Sequence, residues 1–316
     1  MNDANKNQLE QIYYDPKHPA GFGTAQNLYD AVRNKKIPLS EVKSWLAKQP
    51  TYSLHKSRRL NFLRRKTIAP GIRHQFQADL VDLSAIKREN SNIKFILTVI
   101  DVFSRFAYAV PIKNKSAQEV LAALKTVITP DTQIKLFQVD DGKEFWNRSV
   151  KEFMNENNIK MFSTASGQKA SIVERFNRTL KTRMFKYFTA NNTLRYIDVL
   201  NSLVDSYNSR KHRIIGCAPS EVNKSNERKI WKRQYQKYFK NYYSSKTKFK
   251  IGDKVRISKI KKTFEKGYLP NFTKEIFVIV EVLKTHPTTY FLRDSQDQIL
   301  KGAFYAEELV LYQNDD

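Results

Sequence analysis

The chain has 316 residues, and its 56 Lys and Arg stand against 31 Asp and Glu, a formal charge of +25. Its 41% hydrophobic and 12% aromatic content can bury a core, which excludes wholesale disorder, and the length predicts two or three domains. One cysteine, Cys217, excludes intrachain disulfides and a multi-cysteine zinc finger, while the charge requires an extended anionic partner, for which nucleic acid fits better than a membrane surface.

The N-terminal MNDANKNQLEQ is polar and has no apolar signal core. No apolar run reaches the ~18 residues of a membrane-spanning helix, so the expectation is a protein inside the cell. The first 20 or so residues read as a polar arm. TAQNLYDAVRN (24–34) carries Leu28 and Val32 at helical spacing, and EVKSWLAK (41–48) sets Val42, Trp45 and Leu46 on one face, with Ser40 as the expected N-cap. Two short helices and a tight turn predict a helix-turn-helix or small three-helix unit, or a plain helical hairpin packed on its neighbour. KSRRLNFLRRK (56–66) holds six basic residues and no acid, the pattern of a linker lying on phosphates or of a nuclear import signal.

From about residue 72 the pattern becomes that of strands. HQFQADLVDL alternates, with Phe76, Ala78 and Leu80 on one side and Gln75, Gln77 and Asp79 on the other. IKFILTVID (93–101) is the apolar run of a central strand, and RFAYAVPI (105–112) completes an antiparallel meander. Helices are predicted over 116–128, with Ser116 as N-cap, and over 145–157, 171–188 and 193–209; strands are predicted over 134–139 and 159–163. Strand-strand-strand-helix-strand-helix-strand-helix-helix is the order of an α/β, ribonuclease-H-like mixed sheet with helices on both faces. Residues 224–262 hold 15 Lys or Arg against Glu227 and Asp253, interleaved with Trp231, Tyr235, Tyr238, Phe239, Tyr242 and Tyr243. That half-helical connector leads into short strands from Phe249 onward, a small SH3-like β-barrel. The division expected is a helical domain without zinc (1–55), a basic linker (56–71), the ribonuclease-H-like core (72–223), the connector (224–247) and the barrel (248–316).

Three acids stand where such a core would converge them. Asp79 lies mid-strand, Asp140 follows the strand IKLFQV, and Glu174 falls in the first turns of SIVERFNRTLKTRMF. Three carboxylates suit Mg²⁺ or Mn²⁺, and two such ions promote phosphoryl transfer. Asp141 competes with Asp140, and Asp82 with Asp79. Around Glu174, residues 164–191 hold six bases (Lys169, Arg175, Arg178, Lys181, Arg183, Lys186) and no other acid. Asn177, Arg178 and Lys181 share the face of Glu174. The plain alternatives are turn acids, a surface acid on an edge strand and an i,i+4 pair of Glu174 with Arg178. The preceding SGQKAS is small and polar, as a mobile active-site loop would be.

QADL, VIDVFSRF, VDDGKEF, ASIVERFNRTLK and YNSRKHRIIGCAPSEV together resemble the catalytic core of retroviral-type integrases and DDE transposases. FKIGDKVRI and GAFYAEEL look most like the integrases of Maverick/Polinton-type large DNA transposons. The resemblance implies 3′-end processing and strand transfer of mobile-element DNA, with endonuclease activity, and Asp79, Asp140 and Glu174 as ligands of two metal ions. Lys181, with Asn177, Arg178, Lys169 and Arg175, would meet double-stranded DNA, both element ends and target. A homodimer or tetramer is implied, and the nucleus in a eukaryotic host. The zinc-binding His-His-Cys-Cys set of retroviral members is absent from this sequence, and the spacing from Asp140 to Glu174 is slightly shorter than theirs. A domesticated, catalytically inactive DNA-binding protein is the alternative from another class, and a nuclease of the same fold is a third.

Overall fold

Residues 3–14 are polar by composition, yet they form a helix (α1, Asp3–Tyr14) because Leu9 and Tyr13, four apart, give it one apolar stripe. Burying Leu9 alone contributes about 1.5–3 kcal/mol, more than the weak helix propensity of the flanking Asn and Asp residues costs. The expected polar arm is therefore a structural element. Asn2 caps it by accepting from the Asn5 amide at 2.9 Å. α2 (Ala25–Val32) is capped by Thr24, and α3 (Leu39–Lys48) begins two residues earlier than expected, with Pro38 in the cap position and Ser40 inside the first turn. α4 (Pro50–His55) follows. Leu9, Tyr13, Leu28, Val32, Val42, Trp45 and Leu46 make their shared core.

The computed structural model describes residues 1–129, 132–163, 170–240, 247–259 and 265–312. Lys169, Tyr242, Tyr243 and most of the SGQKAS loop lie outside them.

β1 (Gln75–Asp82) realises the predicted alternation, but both of its sides are covered. Phe76 and Ala78 join a core with Leu97, Val99 and Phe137, while Val81 joins Ile96 and Ile100 against the other face. β2 (Phe95–Asp101) is buried along its whole length, as its unbroken apolar run requires. β3 (Ala107–Ile112), β4 (Leu136–Val139) and β5 (Lys160–Ser163) complete a sheet of order β3-β2-β1-β4-β5. β2 runs antiparallel to β1 and β3; β4 is parallel to β1, and β5 to β4. α5 (Ala117–Val127), capped by Ser116 as expected, and α6 (Arg148–Glu156) cover one face through Val120, Leu124, Val150 and Met154. α7 (Ser171–Asn191) and α8 (Leu200–Asn208) cover the other through Val173, Phe176, Leu180, Met184 and Val204. This is the mixed, two-sided sheet of the ribonuclease-H-like fold. α9 (Glu227–Lys240) packs Ile230 and Tyr235 against Ala69, Val102 and Phe103, so part of the connector's aromatic content is core.

The C-terminal strands β6 (Lys254–Ile257), β7 (Phe277–Leu283), β8 (Thr289–Arg293), β9 (Phe304–Tyr305) and β10 (Leu309–Leu311) form an antiparallel sheet of order β10-β6-β7-β8-β9. Phe277 and Tyr290 are in its core, and Phe272 is buried as well.

The chain divides into two compact units, Met1–Arg65 with Ser244–Asp316, and Lys66–Tyr243. In the first, the Leu54 carbonyl accepts from the amides of Asn271 and Phe272 at 2.8 and 3.2 Å, and Arg58 Nη1 donates to the Lys259 carbonyl at 2.6 Å. The N-terminal helices and the C-terminal strands are thus joined by a backbone carbonyl near the end of α4 and by a side chain just after it.

Candidate active site

Asp79 is half-buried on β1, and hydrogen bonds hold it there. Its Oδ1 accepts from the Leu80 amide and its Oδ2 from Asn177 Nδ2, both at 2.8 Å. The Thr98 hydroxyl donates to its carbonyl at 3.1 Å across the β1–β2 ladder. Burial pushes the Asp79 carboxyl above the usual carboxylate range, and the Asp140 and Glu174 carboxylates push it the same way, while the bonds from Leu80 and Asn177 oppose them. Asp79 thus lies within reach of the charge of both other acids expected from the sequence.

Their elements explain why. β4 is β1's parallel neighbour and ends at Val139, so Asp140 leaves the sheet beside β1. Its turn is held by the Gly142 amide on Asp140 Oδ1 at 3.2 Å and by Trp146 Nε1 on the Asp140 carbonyl at 2.8 Å. Asp141 is engaged elsewhere, accepting from the Ser163 hydroxyl at the end of β5. Asp82 is exposed and held below the usual range by hydrogen bonds from Ser84, with Lys115 and Lys181 adding to the effect. Of the two turn acids, Asp140 is the one whose charge acts on Asp79. Glu174 is exposed in the first turn of α7.

Oxygen donors that repel one another suit a hard divalent cation, which relieves the repulsion. The residues fit such an ion in kind. Among the described residues no three His, Cys, Asp or Glu side chains stand close enough to hold an ion as they are. Asp140 and Glu174 are the exposed members of the set.

Arg175, Arg178 and Lys181 project from α7 into solvent, and among the described residues none is ion-paired with a carboxylate. Asn177 departs from its expected place among the DNA contacts. It is 7% exposed, and its amide nitrogen is on Asp79. Sequence reasoning also missed Gln75, Gln77 and Gln138, which are 5%, 0% and 3% exposed. Gln77 Oε1 accepts from the amides of Ile172 and Val173 at 3.0 and 3.1 Å. The signal was present in QFQAD: polar residues in phase with Asp79, on a strand whose neighbours are apolar.

The integrase core domain model matches residues 73–169. An uncharacterised transposon-derived protein of Caenorhabditis elegans is 36% identical over 225 residues, 70% of this chain and 73% of that protein. The chain belongs to the integrase-core family. A second relative of this integrase-core protein is the retrovirus-related Pol polyprotein from transposon 412 of Drosophila melanogaster, 30% identical over 132 residues, 40% of this chain and 11% of the polyprotein. In fold it resembles a chain of the simian T-cell lymphotropic virus intasome, solved with PP2A regulatory subunit B56 gamma. That likeness has a TM-score of 0.58 at 14% identity and spans 93% of this chain and all of the other.

Proposed function

We propose that this integrase-core protein is a DNA integrase that processes the 3′ ends of a mobile element and joins them to target DNA. The observation that carries the reading is the convergence on Asp79 of two other carboxylates, Asp140 after the parallel neighbour strand and Glu174 in the first turn of α7. Asp79, Asp140 and Glu174 would hold Mg²⁺ or Mn²⁺, which would activate the attacking oxygen and stabilise the leaving one. In processing, water attacks a phosphodiester near the element's end and the 3′ oxygen leaves, taking a proton. In joining, that 3′ hydroxyl attacks a target phosphodiester and expels the target's own 3′ oxygen. No side chain becomes covalently attached to DNA.

Arg175, Arg178 and Lys181 would hold the element's end against the acids through its phosphates, in keeping with a charge of +25. Assembly as a dimer or tetramer on two DNA ends and entry into a eukaryotic nucleus belong to the same reading. So does a place near the integrases of Maverick/Polinton-type elements, which rests on the FKIGDKVRI and GAFYAEEL segments.

The test is a strand-transfer assay with Mg²⁺ or Mn²⁺ and the terminal DNA of the encoding element. Joined products should form with the native protein and vanish with Glu174→Gln while DNA binding persists. Equal binding without joining in both proteins would overturn the enzyme in favour of a DNA-binding protein. Cutting without joining would make it a nuclease.

A further inference from the structure

Three glutamines lie under the N-terminus of α7, where an apolar core would be expected. Gln75 and Gln77 stand on the same side of β1 as Asp79, and Gln138 is Gln77's register partner on β4. Gln138 Oε1 accepts from Gln77 Nε2 at 2.9 Å and from Gln75 Nε2 at 3.1 Å. Gln77 Oε1 faces the other way and takes the amides of Ile172 and Val173.

Those two amides are among the four that any helix leaves without an internal partner. A Ser, Thr, Asp or Asn at the N-cap normally serves them. Here the N-cap is Ala170, which has no side-chain acceptor. The cap is supplied from a different element, by a residue 95 positions away in the chain. Buried polar side chains are costly unless satisfied, and an aliphatic residue at 77 would fill the space without a directional bond. What the amide adds is position.

Each end of this relay lies next to an acid. Gln77 precedes Asp79 by two residues, Gln138 precedes Asp140 by two, and Val173 adjoins Glu174. We propose that Gln77 is a positioning residue, whose amide fixes the start of the helix bearing Glu174 against the strands bearing Asp79 and Asp140. The proposal rests on the metal-binding reading of those acids. Side chains that orient metal ligands are commonly worth about 10–100-fold in metal affinity, and small misplacements of reacting groups are expensive.

The experiment uses the full chain, native and as Gln77→Leu, Gln77→Glu and Gln138→Met. Mn²⁺ uptake is titrated by the loss of the free-ion electron paramagnetic resonance signal, and hydrogen exchange is followed at residues 172–174. Gln77→Leu should raise the half-saturating Mn²⁺ concentration by about 10-fold or more, with lost protection at Ile172 and Val173 and unchanged DNA binding. Gln77→Glu keeps an acceptor for both amides but loses the Nε2 donor to Gln138, so it should retain that protection and lose Mn²⁺ affinity only as far as Gln138→Met does. Gln138→Met cuts the link to β4 and should also raise the half-saturating concentration, which keeps the idea testable if Gln77→Leu does not fold. Native-like Mn²⁺ uptake by a folded Gln77→Leu, or by Gln138→Met in its place, would overturn the positioning role alone. A native protein that takes up no Mn²⁺ would overturn the metal-dependent reading first, and this role with it.

Discussion

Asn177 shows how one hydrogen bond reassigns a residue. It is three residues from Glu174, which puts the two on a common face, but it is equally four from Val173 and three from Leu180, both buried. Helical spacing allows either company, and the bond to Asp79 Oδ2 decides it. The acids were legible because a carboxylate in or beside an apolar strand needs a reason. The VIDVFSRF motif was legible only as a pattern, and its physical basis is a buried clamp. Asp101 accepts from the amides of Phe103, Ser104 and Arg73 and, at 2.6 Å, from the Ser104 hydroxyl, closing the turn from β2 to β3. His212 is a half-buried, titrating residue. Burial, with Arg105, Arg175 and Arg213 adding to it, lowers its pKa from 6.5 to about 4, and its Nδ1 accepts from the Ile214 amide at 3.3 Å. Between those two pH values the unfolded chain binds the proton and the folded one does not. The stability this neutral imidazole contributes is thus present above pH 6.5 and lost as pH falls towards 4. Thermal melts across that range should show a decline that His212→Asn, which keeps an acceptor but cannot titrate, flattens.

At the scale of elements, periodicity found the strands and helices of the catalytic unit and misjudged what lay on their polar sides. A strand that alternates ordinarily shows its polar side to water. β1 shows its own to α7, because Gln75 and Gln77 satisfy each other's neighbours instead of solvent. α1 was missed for the opposite reason: its stripe is two residues wide and composition hid it. α8 is anchored by a side chain that behaves as a strand. Asn208 Oδ1 accepts from the Ala107 amide and its Nδ2 donates to the Ala107 carbonyl, both at 2.9 Å, pairing the open edge of β3. Asn208→Ala would leave both buried backbone groups without that partner, and denaturant unfolding should show a loss of about 2–3 kcal/mol. A loss below ~0.5 kcal/mol would mean that water replaces the amide at no cost.

For the whole molecule, charge was legible, and the pairing of the chain's two outer segments into one unit was not. A net +25 requires DNA affinity to fall steeply with salt. Arg178→Ala and Lys181→Ala should each lower the slope of log affinity against log salt by about 0.9, one phosphate contact apiece, if they meet DNA as read. An unchanged slope would remove them from the interface. The pairing escaped because periodicity is local, whereas Leu54 meets Asn271 and Phe272 across most of the chain's length.

That pairing also orders events in time. Lys66–Tyr243 is one uninterrupted segment, so on the ribosome it can finish folding as it emerges. The helices of Met1–Arg65 precede that segment in synthesis, and their partner strands follow it. Closing so long a loop is slow for an open chain. The helices therefore wait for their final contacts while the unit bearing the acids can already mature.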